Sequence, residues 1–140
     1  LEALIKRHNL TDIVYFPGHC RDMPAAYMLS DVVVSASTEP EAFGRVVVEA
    51  QAMGRPVVAS DHGASRETIV PGKTGWTFRP GDPMDLADVL QRSLALTSGE
   101  RKRLANDAIS HVRHRFTLES MCSRTMTTYR EVLARTARSD

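Results

Sequence analysis

Residues 37–50 read STEPEAFGRVVVEA and lie between two short apolar runs. The runs, 32–34 and 56–59, are rich in valine, as buried parallel strands tend to be. Between them, apolar residues recur at the spacing of a helix, at Phe43, Val46, Val47, Ala50 and Met53. Gly54 and Pro56 favour a helix end just before the second run. The stretch therefore predicts one βαβ unit: strand, polar loop, helix, strand.

The polar loop at 37–44 predicts a ligand site. In βαβ units, ligands bind beyond the C-terminal ends of the strands, against the helix N-terminus. Glu41 and Glu49 are separated by about 12 Å along the axis if the helix is continuous. That spacing suits the two polar ends of an elongated ligand, with a diphosphate between them at free backbone N–H groups. Carboxylates accept hydrogen bonds from sugar hydroxyls. An alternative stays open here, in which Glu41 complements the helix dipole and Glu49 is solvated.

These residues resemble a known signature. ExFGxxxxEA at 41–50, followed by GxPVVA at 54–59, is similar to the pattern of the retaining glycosyltransferases of family 4, or group 1. Members have two Rossmann-like domains facing each other, the GT-B fold, and use nucleotide-sugar donors. The resemblance covers nearly the whole chain but only the later part of the family's C-terminal domain. It implies an α/β fold with a Rossmann-like parallel sheet and flanking helices.

The resemblance also implies roles for individual residues. Glu41 would bind hydroxyls of the transferred sugar and is the candidate catalytic residue, and Glu49 would hold the ribose hydroxyls. Backbone N–H groups of residues 43–45 would meet the sugar and the diphosphate. The implied donor-binding residues are Glu41, Phe43, Gly44, Arg45, Val46, Glu49 and Gly63. No metal or other cofactor is expected, because the family's transfer generally needs no metal in this domain and the chain has no Asp-x-Asp motif.

A second strand-to-helix turn follows at residues 61–67. Gly63 permits a close backbone approach. The family usually has a second glycine next, where this chain has Ala64, and a glutamate at the position of Glu67. Two readings of this turn stay open. Arg66 either pairs a phosphate or forms a surface salt bridge, and Glu67 either contacts a ligand or stabilises a helix start.

Composition limits the protein class. The 140 residues are enough for one compact domain, and 42% hydrophobic and 25% charged residues are ordinary for a globular protein. A net charge of +1 gives no electrostatic argument for nucleic acid. No run approaches the roughly 20 apolar residues of a membrane span, and no signal peptide is visible. Cys20 and Cys122 form no metal or redox motif, which favours free thiols in a reducing cytosol.

Four strands are predicted, at residues 12–16, 31–36, 56–60 and 75–79. Helix starts are predicted at Asp22-Met23-Pro24, Asp82-Pro83, Thr97-Ser98-Gly99-Glu100 and Thr117. In the resembling family, another strand lies between the first and second of these, in the order 3-2-1-4-5-6. The sheet of this chain is therefore expected to be incomplete.

The chain opens without an initiator methionine, inside a predicted helix at 1–8, and is expected to be a piece of something longer. We treat 1–140 as a single, incomplete nucleotide-sugar-binding domain. The final helix, 117–140, has an apolar side. In the family that helix reaches across to the N-terminal domain, and without that domain its apolar side is exposed or meets a second copy. The basic groups of 98–115 either contact an anionic membrane or form a solvated face, which the interleaved acidic residues favour.

The resemblance implies a hexosyltransferase that moves a sugar from a UDP-, GDP- or ADP-linked donor to a glycan or lipid acceptor with retention. Polysaccharide, lipopolysaccharide or glycolipid synthesis for the cell envelope is the expected setting, in the cytoplasm or at the inner face of the membrane. The family's basic phosphate-binding pair, its acceptor site and its N-terminal catalytic residues lie outside this chain, so the chain alone is expected to be inactive.

Two alternatives compete with a transferase. A nucleotide-sugar epimerase of the same architecture would need a His/Asp/Glu acid–base set in the cleft, which the Phe43-Gly44 loop does not supply. A non-catalytic α/β module of the response-regulator kind would have an acidic pocket at the first strand end and a lysine near the fifth strand. Neither feature is found in the sequence.

Overall fold

A computed structural model describes residues 1–136 of the chain. Its elements are α1 (Glu2–Arg7), α2 (Met23–Leu29), β1 (Val33–Ser35), α3 (Arg45–Ala52), β2 (Val57–Ser60), α4 (Ser65–Thr68), β3 (Trp76–Phe78), α5 (Pro83–Leu94), α6 (Ser98–Arg115) and α7 (Leu118–Thr136). Helices follow strands in alternation through the middle of the chain. The predicted α/β class and the predicted βαβ unit of β1, α3 and β2 are confirmed.

The three strands form one parallel sheet in the order β1-β2-β3. Val33 pairs with Val57 in the first ladder, and Val58 pairs with Trp76 in the second. These strands are the predicted ones at 31–36, 56–60 and 75–79; β1 and β3 are shorter at both ends, and β2 begins one residue later and ends at Ser60 as predicted. Because all three run in one direction, their C-terminal ends lie along one edge of the sheet, where the loops to α3 and α4 begin.

The strand predicted at 12–16 is wrong. The N–H groups of Ile13 and Val14 donate to the carbonyl of Leu10 at 3.0 and 2.9 Å, which is a helical turn. Ile13 is 70% and Tyr15 is 74% exposed. The physical reason is the lack of a neighbour: the resemblance places another strand between this segment and β1, and residues 1–136 do not supply it. A lone extended segment would leave its backbone groups without ladder partners, so local hydrogen bonds form instead.

The core has two parts because side chains alternate across the sheet. On one face, Val57 and Ala59 pack with α2, α3 and Ile69. On the other face, Val58 packs with Phe78 of β3 and with Val89 of α5. All four β2 residues are buried, as expected for the middle strand of a parallel sheet. The βαβ unit at residues 33–60 is therefore the centre of the domain.

Helix α3 lies between the sheet and α6. It ends at Ala52, and Gly54 follows with φ +66°, as the sequence predicted for the helix end. A Cβ at Gly54 would lie 3.1 Å from the Cβ of Ala105 and 3.2 Å from Cδ1 of Ile109, both on α6. A glycine here therefore allows both the left-handed turn and the close approach of α6.

Four helices begin at the predicted positions, and each start is capped by a side chain. The carboxylate of Asp22 accepts from Ala25 N–H at 3.1 Å, and that of Asp82 accepts from Met84 and Asp85 N–H at 3.1 and 3.0 Å. Thr97 and Glu100 form the predicted capping box at the start of α6. At α7, the hydroxyl of Thr117 accepts from Ser120 N–H at 3.1 Å. Each such cap stabilises its helix by about 1 kcal/mol.

The apolar side of α7 lies exposed along the described part of that helix, with Met121 at 58%, Tyr129 at 61% and Leu133 at 69%. The predicted final helix ran to residue 140, and its last four residues lie outside the described range. Its docking on an N-terminal domain stays a prediction. Cys20 and Cys122 are exposed free thiols. Within residues 1–136, every helix is too short or too polar to cross a membrane.

The fold makes one prediction about stability. Gln51 of α3 is 0% exposed, and its amide donates to the carbonyl of Thr68 at 3.0 Å and to the hydroxyl of Thr74 at 3.2 Å. Substitution by Met keeps the size but removes the donor, so the buried Thr68 carbonyl and Thr74 hydroxyl each lose one hydrogen bond, although Thr74 still accepts from the N–H of Val70. We expect Gln51→Met to lower the free energy of unfolding by about 1–3 kcal/mol in urea denaturation.

The matched control is Gln91→Met on the exposed side of α5. This change replaces an amide side chain that is exposed to solvent. It should change the free energy of unfolding by less than about 0.5 kcal/mol. Equal losses for the two variants would contradict the assigned role of Gln51.

Candidate functional site

The carboxylate of Glu41 lies just beyond the C-terminal end of β1. Its Oε1 accepts a hydrogen bond from the hydroxyl of Ser35 at 3.3 Å and a second, shorter one from the hydroxyl of Ser37. The other oxygen, Oε2, lies over Gly44, where an added Cβ would be 3.4 Å from it. Two serines therefore fix one oxygen of a half-buried carboxylate, and the other oxygen faces the start of α3.

The helix does not run continuously from Glu41 to Glu49, so the 12 Å estimate, which assumed a continuous helix, does not apply. Helix α3 begins at Arg45. Gly44 before it has φ +70°, a left-handed conformation that interrupts a right-handed helix. Glu41 is thus a loop residue in front of the helix, and Glu49 is in the second turn of α3.

The N-terminus of α3 presents hydrogen-bond donors beside Glu41. The N–H groups of Val47 and Val48 turn back to the carbonyl of Gly44 at 3.0 and 3.4 Å. Those of Arg45 and Val46 have no backbone acceptor among residues 1–136. Together with the helix dipole, free N–H groups at this position favour an anion.

Glu49 is held by two neighbours. The hydroxyl of Tyr27 donates to its Oε2 at 3.0 Å, and the guanidinium of Arg45 donates to its Oε1 at 3.1 and 2.9 Å. Tyr27 is 5% exposed, and burial, together with the nearby Glu49 carboxylate, raises the pKa of Tyr27 to about 12. Tyr27 therefore remains a proton donor to Glu49 throughout the neutral range, while Arg45 is 82% exposed in its side chain.

The second strand-to-helix turn packs directly against the Glu41 loop. Gly63 has φ +54°, and a Cβ there would lie 2.6 Å from the carbonyl oxygen and 3.0 Å from the nitrogen of Glu41. The next residue, Ala64, donates its N–H to that same carbonyl at 3.1 Å. Gly63 thus permits a close backbone approach, as the sequence indicated, and the backbone that it meets here is that of Glu41.

Other side chains of the same turn have partners too. The Nε2 atom of His62 lies 3.0 Å from the carbonyl oxygen of Ser37. Arg66 forms a salt bridge with Asp61 at 3.1 Å, which is the surface-pair alternative for that residue. Glu67 is exposed and lies on the wall of a separate hollow.

Two concave regions adjoin the Glu41 loop. A cavity of about 10 Å³ lies between that loop and the turn at 61–65, with room for about one water molecule. The buried hydroxyl of Ser60 on its wall has no hydrogen-bond partner among residues 1–136. A more open hollow of about 920 Å³ lies beside Phe43 and Arg45, with the junction of α6 and α7 as its other wall.

The structure brings some predicted residues together and separates others. Glu41, Gly44 and Gly63 lie in one cluster. Glu49 has separate contacts, with Tyr27 and with Arg45 of the first turn of α3. Phe43 and Val46 are partly exposed, and the ring of Phe43 meets the ring of Phe116 edge-on at 5.9 Å. No group of three or more His, Cys, Asp or Glu side chains in residues 1–136 is arranged to hold a metal ion.

Sequence reasoning missed four residues of this region: Tyr27, Ser35, Ser37 and His62. Three of them follow or end a strand at the edge where ligands bind, so their position along the chain was a usable signal. Tyr27 gave none, because a buried tyrosine on a short helix has the pattern of an ordinary core residue.

Comparisons with known proteins show the family to which the chain belongs. The sequence profile of the family described as glycosyl transferases group 1 matches residues 1–111. A D-inositol 3-phosphate glycosyltransferase of Thermomonospora curvata is 37% identical over 115 residues, which are 81% of this chain and 26% of that relative. The chain therefore spans about a quarter of the length of that relative.

Solved structures that superpose on this chain include glycosyltransferases. A glycosyltransferase from Rickettsia africae superposes with a TM-score of 0.87 at 32% identity, over 94% of this chain and 35% of that one. Anabaena HepE, crystallised with UDP and glucose, superposes with a TM-score of 0.85 at 30% identity, over 93% and 35%.

The fold and these matches identify the chain as part of a GT-B fold. The chain belongs to the glycosyl transferases group 1. The predicted family is thus confirmed, and it favours the transferase interpretation over the epimerase and the response-regulator-like module.

The packing of the two turns predicts the effect of a single methyl group. In Gly63→Ala, the new Cβ would overlap the main chain of Glu41 in addition to the strain of a positive φ. We expect the substitution to lower the free energy of unfolding by about 2–4 kcal/mol. Amide NMR shifts of residues 37–44 should move with it.

Gly72→Ala is the control for backbone strain alone. Gly72 has φ +75°, but an added Cβ there meets nothing within 4 Å. It should cost about 1 kcal/mol and leave the amide shifts of 37–44 unchanged. If Gly63→Ala were no more costly than Gly72→Ala, the close contact with Glu41 would be refuted.

Proposed function

We propose that the chain is the donor-binding part of a retaining hexosyltransferase that uses a nucleotide-diphosphate sugar. The observation that carries the proposal is the pairing of a serine-held carboxylate, Glu41, with free N–H groups at the start of α3. The carboxylate accepts hydrogen bonds from sugar hydroxyls, and the N–H groups at the helix start donate to a diphosphate. HepE, a relative of the same fold, was crystallised with UDP and glucose.

At the sugar end, Glu41 acts as the catalytic residue of this domain by accepting hydrogen bonds from hydroxyls of the transferred hexose. Its Oε2 accepts none from residues 1–136, so both acceptor positions of that oxygen remain for a ligand hydroxyl. Because the two serines already orient the carboxylate, little side-chain entropy is lost when the sugar binds.

At the diphosphate, the backbone N–H groups of Phe43, Gly44, Arg45 and Val46 act as donors, with Gly63 allowing the turn beneath them to approach closely. Negative charge grows on the leaving nucleotide diphosphate during transfer, and the helix dipole with these fixed donors stabilises it. The Arg45 side chain is able to join them. Its ion pair with Glu49 is exposed, and such surface pairs contribute only about 0–1 kcal/mol.

At the nucleoside end, Glu49 accepts hydrogen bonds from the ribose hydroxyls. Tyr27 positions its carboxylate from the buried side and, with the pKa of Tyr27 raised to about 12, does so without ionising near neutral pH. Each carboxylate oxygen has more than one acceptor position, so the Tyr27 hydrogen bond is compatible with ribose binding. The donor nucleotide is UDP, GDP or ADP.

The acceptor is a glycan or lipid bound by an N-terminal domain beyond this chain. The setting is polysaccharide, lipopolysaccharide or glycolipid synthesis in the cytoplasm or at the inner face of the membrane, with peripheral membrane contact through the full enzyme. The exposed apolar side of α7 docks on that N-terminal domain, and in the isolated chain it offers a surface for self-association.

Substitution of the two carboxylates should have different effects on the affinity for nucleotides and for nucleotide sugars. Isothermal titration of the chain with UDP, GDP and ADP, and with UDP-glucose, GDP-mannose and ADP-glucose, first identifies the nucleotide. Glu49→Ala should then weaken the free nucleotide and its sugar by the same factor, roughly tenfold or more, because a charged hydrogen bond is lost. Glu41→Ala should weaken only the nucleotide sugar.

Glu2→Ala, an exposed residue of α1, is the matched control and should bind as the wild type does. Nucleotide binding that survives Glu49→Ala unchanged would remove the ribose assignment. An equal loss of UDP and UDP-glucose affinity in Glu41→Ala would remove the sugar assignment.

The isolated chain should not transfer sugar. Acceptor binding and the family's basic phosphate-binding pair are assigned to segments outside it, so donor binding here is not followed by reaction. Release of free nucleotide from UDP-glucose, GDP-mannose or ADP-glucose, in the presence of glycan and lipid acceptors, should stay at the rate without protein. A rate above that background would contradict the division of roles between the two domains.

A further inference from the structure

We propose that His62 is a positioning residue that holds the Glu41 carboxylate in its sugar-binding orientation by acting through Ser37. The proposal deepens the proposed function and rests on it. No motif of the sequence marks His62, which lies in the turn after β2 and not in the loop that carries Glu41.

Ser37 forms hydrogen bonds through both its main-chain carbonyl and its side-chain hydroxyl. Its carbonyl oxygen lies 3.0 Å from Nε2 of His62, so that nitrogen carries the proton and donates. Its hydroxyl donates to Oε1 of Glu41. A displacement of the Ser37 main chain would therefore move the group that orients the carboxylate.

The main chain of His62, which carries the imidazole ring, is held in place by hydrogen bonds. The N–H of His62 donates to the carbonyl of Ser60 at 2.9 Å and lies 3.3 Å from the hydroxyl of Ser65. The oxygen of that hydroxyl lies 2.5 Å from the carbonyl oxygen of Ser60 and 2.7 Å from that of His62, and its single proton is shared between these two acceptors. Ser60 ends the central strand of the sheet, so the His62 ring extends from the most buried strand of the domain.

The loop that receives this hydrogen bond has no regular secondary structure between Ser35 and Arg45. Two contacts fix it to the turn at 61–65. One is the main-chain bond from Ala64 to the carbonyl of Glu41, and the other is the His62 side chain on Ser37. Because the first contact fixes only the main chain of Glu41, the second is needed to fix the serine that orients its carboxylate.

Two substitutions of His62 separate hydrogen bonding from bulk. His62→Leu removes the donor, whereas His62→Gln places an amide N–H near the position of Nε2. Affinity is measured by titration of the chain with the free nucleotide and with the matching nucleotide sugar. We expect His62→Leu to weaken the nucleotide sugar roughly tenfold with less than a twofold change for the nucleotide, and Gln to restore most of the loss.

His114→Leu is the matched control, because Nδ1 of His114 also lies near a main-chain carbonyl oxygen, that of Ser110 at 2.7 Å, but on the exposed side of α6. It should leave both affinities unchanged. Equal losses of nucleotide and nucleotide sugar in His62→Leu, or no loss, or a Gln variant as weak as Leu, would each overturn the positioning role.

An NMR measurement tests the same role without ligand. In the wild-type chain, ¹⁵N spectra of the imidazole should show the proton of His62 on Nε2, because Nδ1 is buried without a partner among residues 1–136. In His62→Gln the Glu41 side-chain carboxyl shift should stay near the wild-type value. A proton on Nδ1 alone would overturn the proposal even if His62→Leu failed to fold. Wild-type protein that binds none of the nucleotides would instead refute the proposed function.

Discussion

The candidate site depends on a main-chain contact between two turns. The turn after β2 presents Gly63 and Ala64 to Glu41, with an N–H···O bond of 3.1 Å and a gap too narrow for a side chain. Each turn leads into a helix, so this one contact also sets how the starts of α3 and α4 lie at the edge of the sheet. It explains why an irregular loop can carry a well-defined carboxylate.

Charge is distributed so that neither glutamate is buried without compensation. Glu41 has two serine hydroxyls and the start of α3 near it, and Glu49 has a tyrosine hydroxyl and an exposed arginine. A carboxylate that is partly removed from water needs hydrogen-bond partners of this kind, because burying it without them costs free energy. The partners of Glu41 are short, neutral side chains that bond only one of its oxygens. Glu49 is instead paired with Arg45, whose side chain is exposed.

Features set by local sequence were predictable. Caps at Asp82 and at Thr97 with Glu100 depend on residues a few positions apart, and they are found as predicted. The parallel strands at β1, β2 and β3 followed from their apolar runs and from the helical spacing between them. The segment 12–16 has an equally good strand pattern and forms no strand, because a strand also needs a neighbouring chain segment.

The site was predictable at the level of the sheet edge and not at the level of contacts. Strand ends brought Glu41, Gly44 and Gly63 together in the sequence argument, and the structure places them together. The loop predicted at 37–44 ends where α3 begins at Arg45, but the left-handed conformation of Gly44 was not predicted, since helical spacing of apolar residues does not show it. Ser37 and His62 meet across 25 positions of sequence, and only the packing of the two turns creates their contact.

The close approach at Gly63 also limits how this enzyme family can be recombined. A chimaera that imports the acidic loop from a relative receives a main chain shaped for that relative's own underlying turn. Segments 37–44 and 61–65 therefore have to be exchanged together, although α3 and β2 lie between them in the sequence.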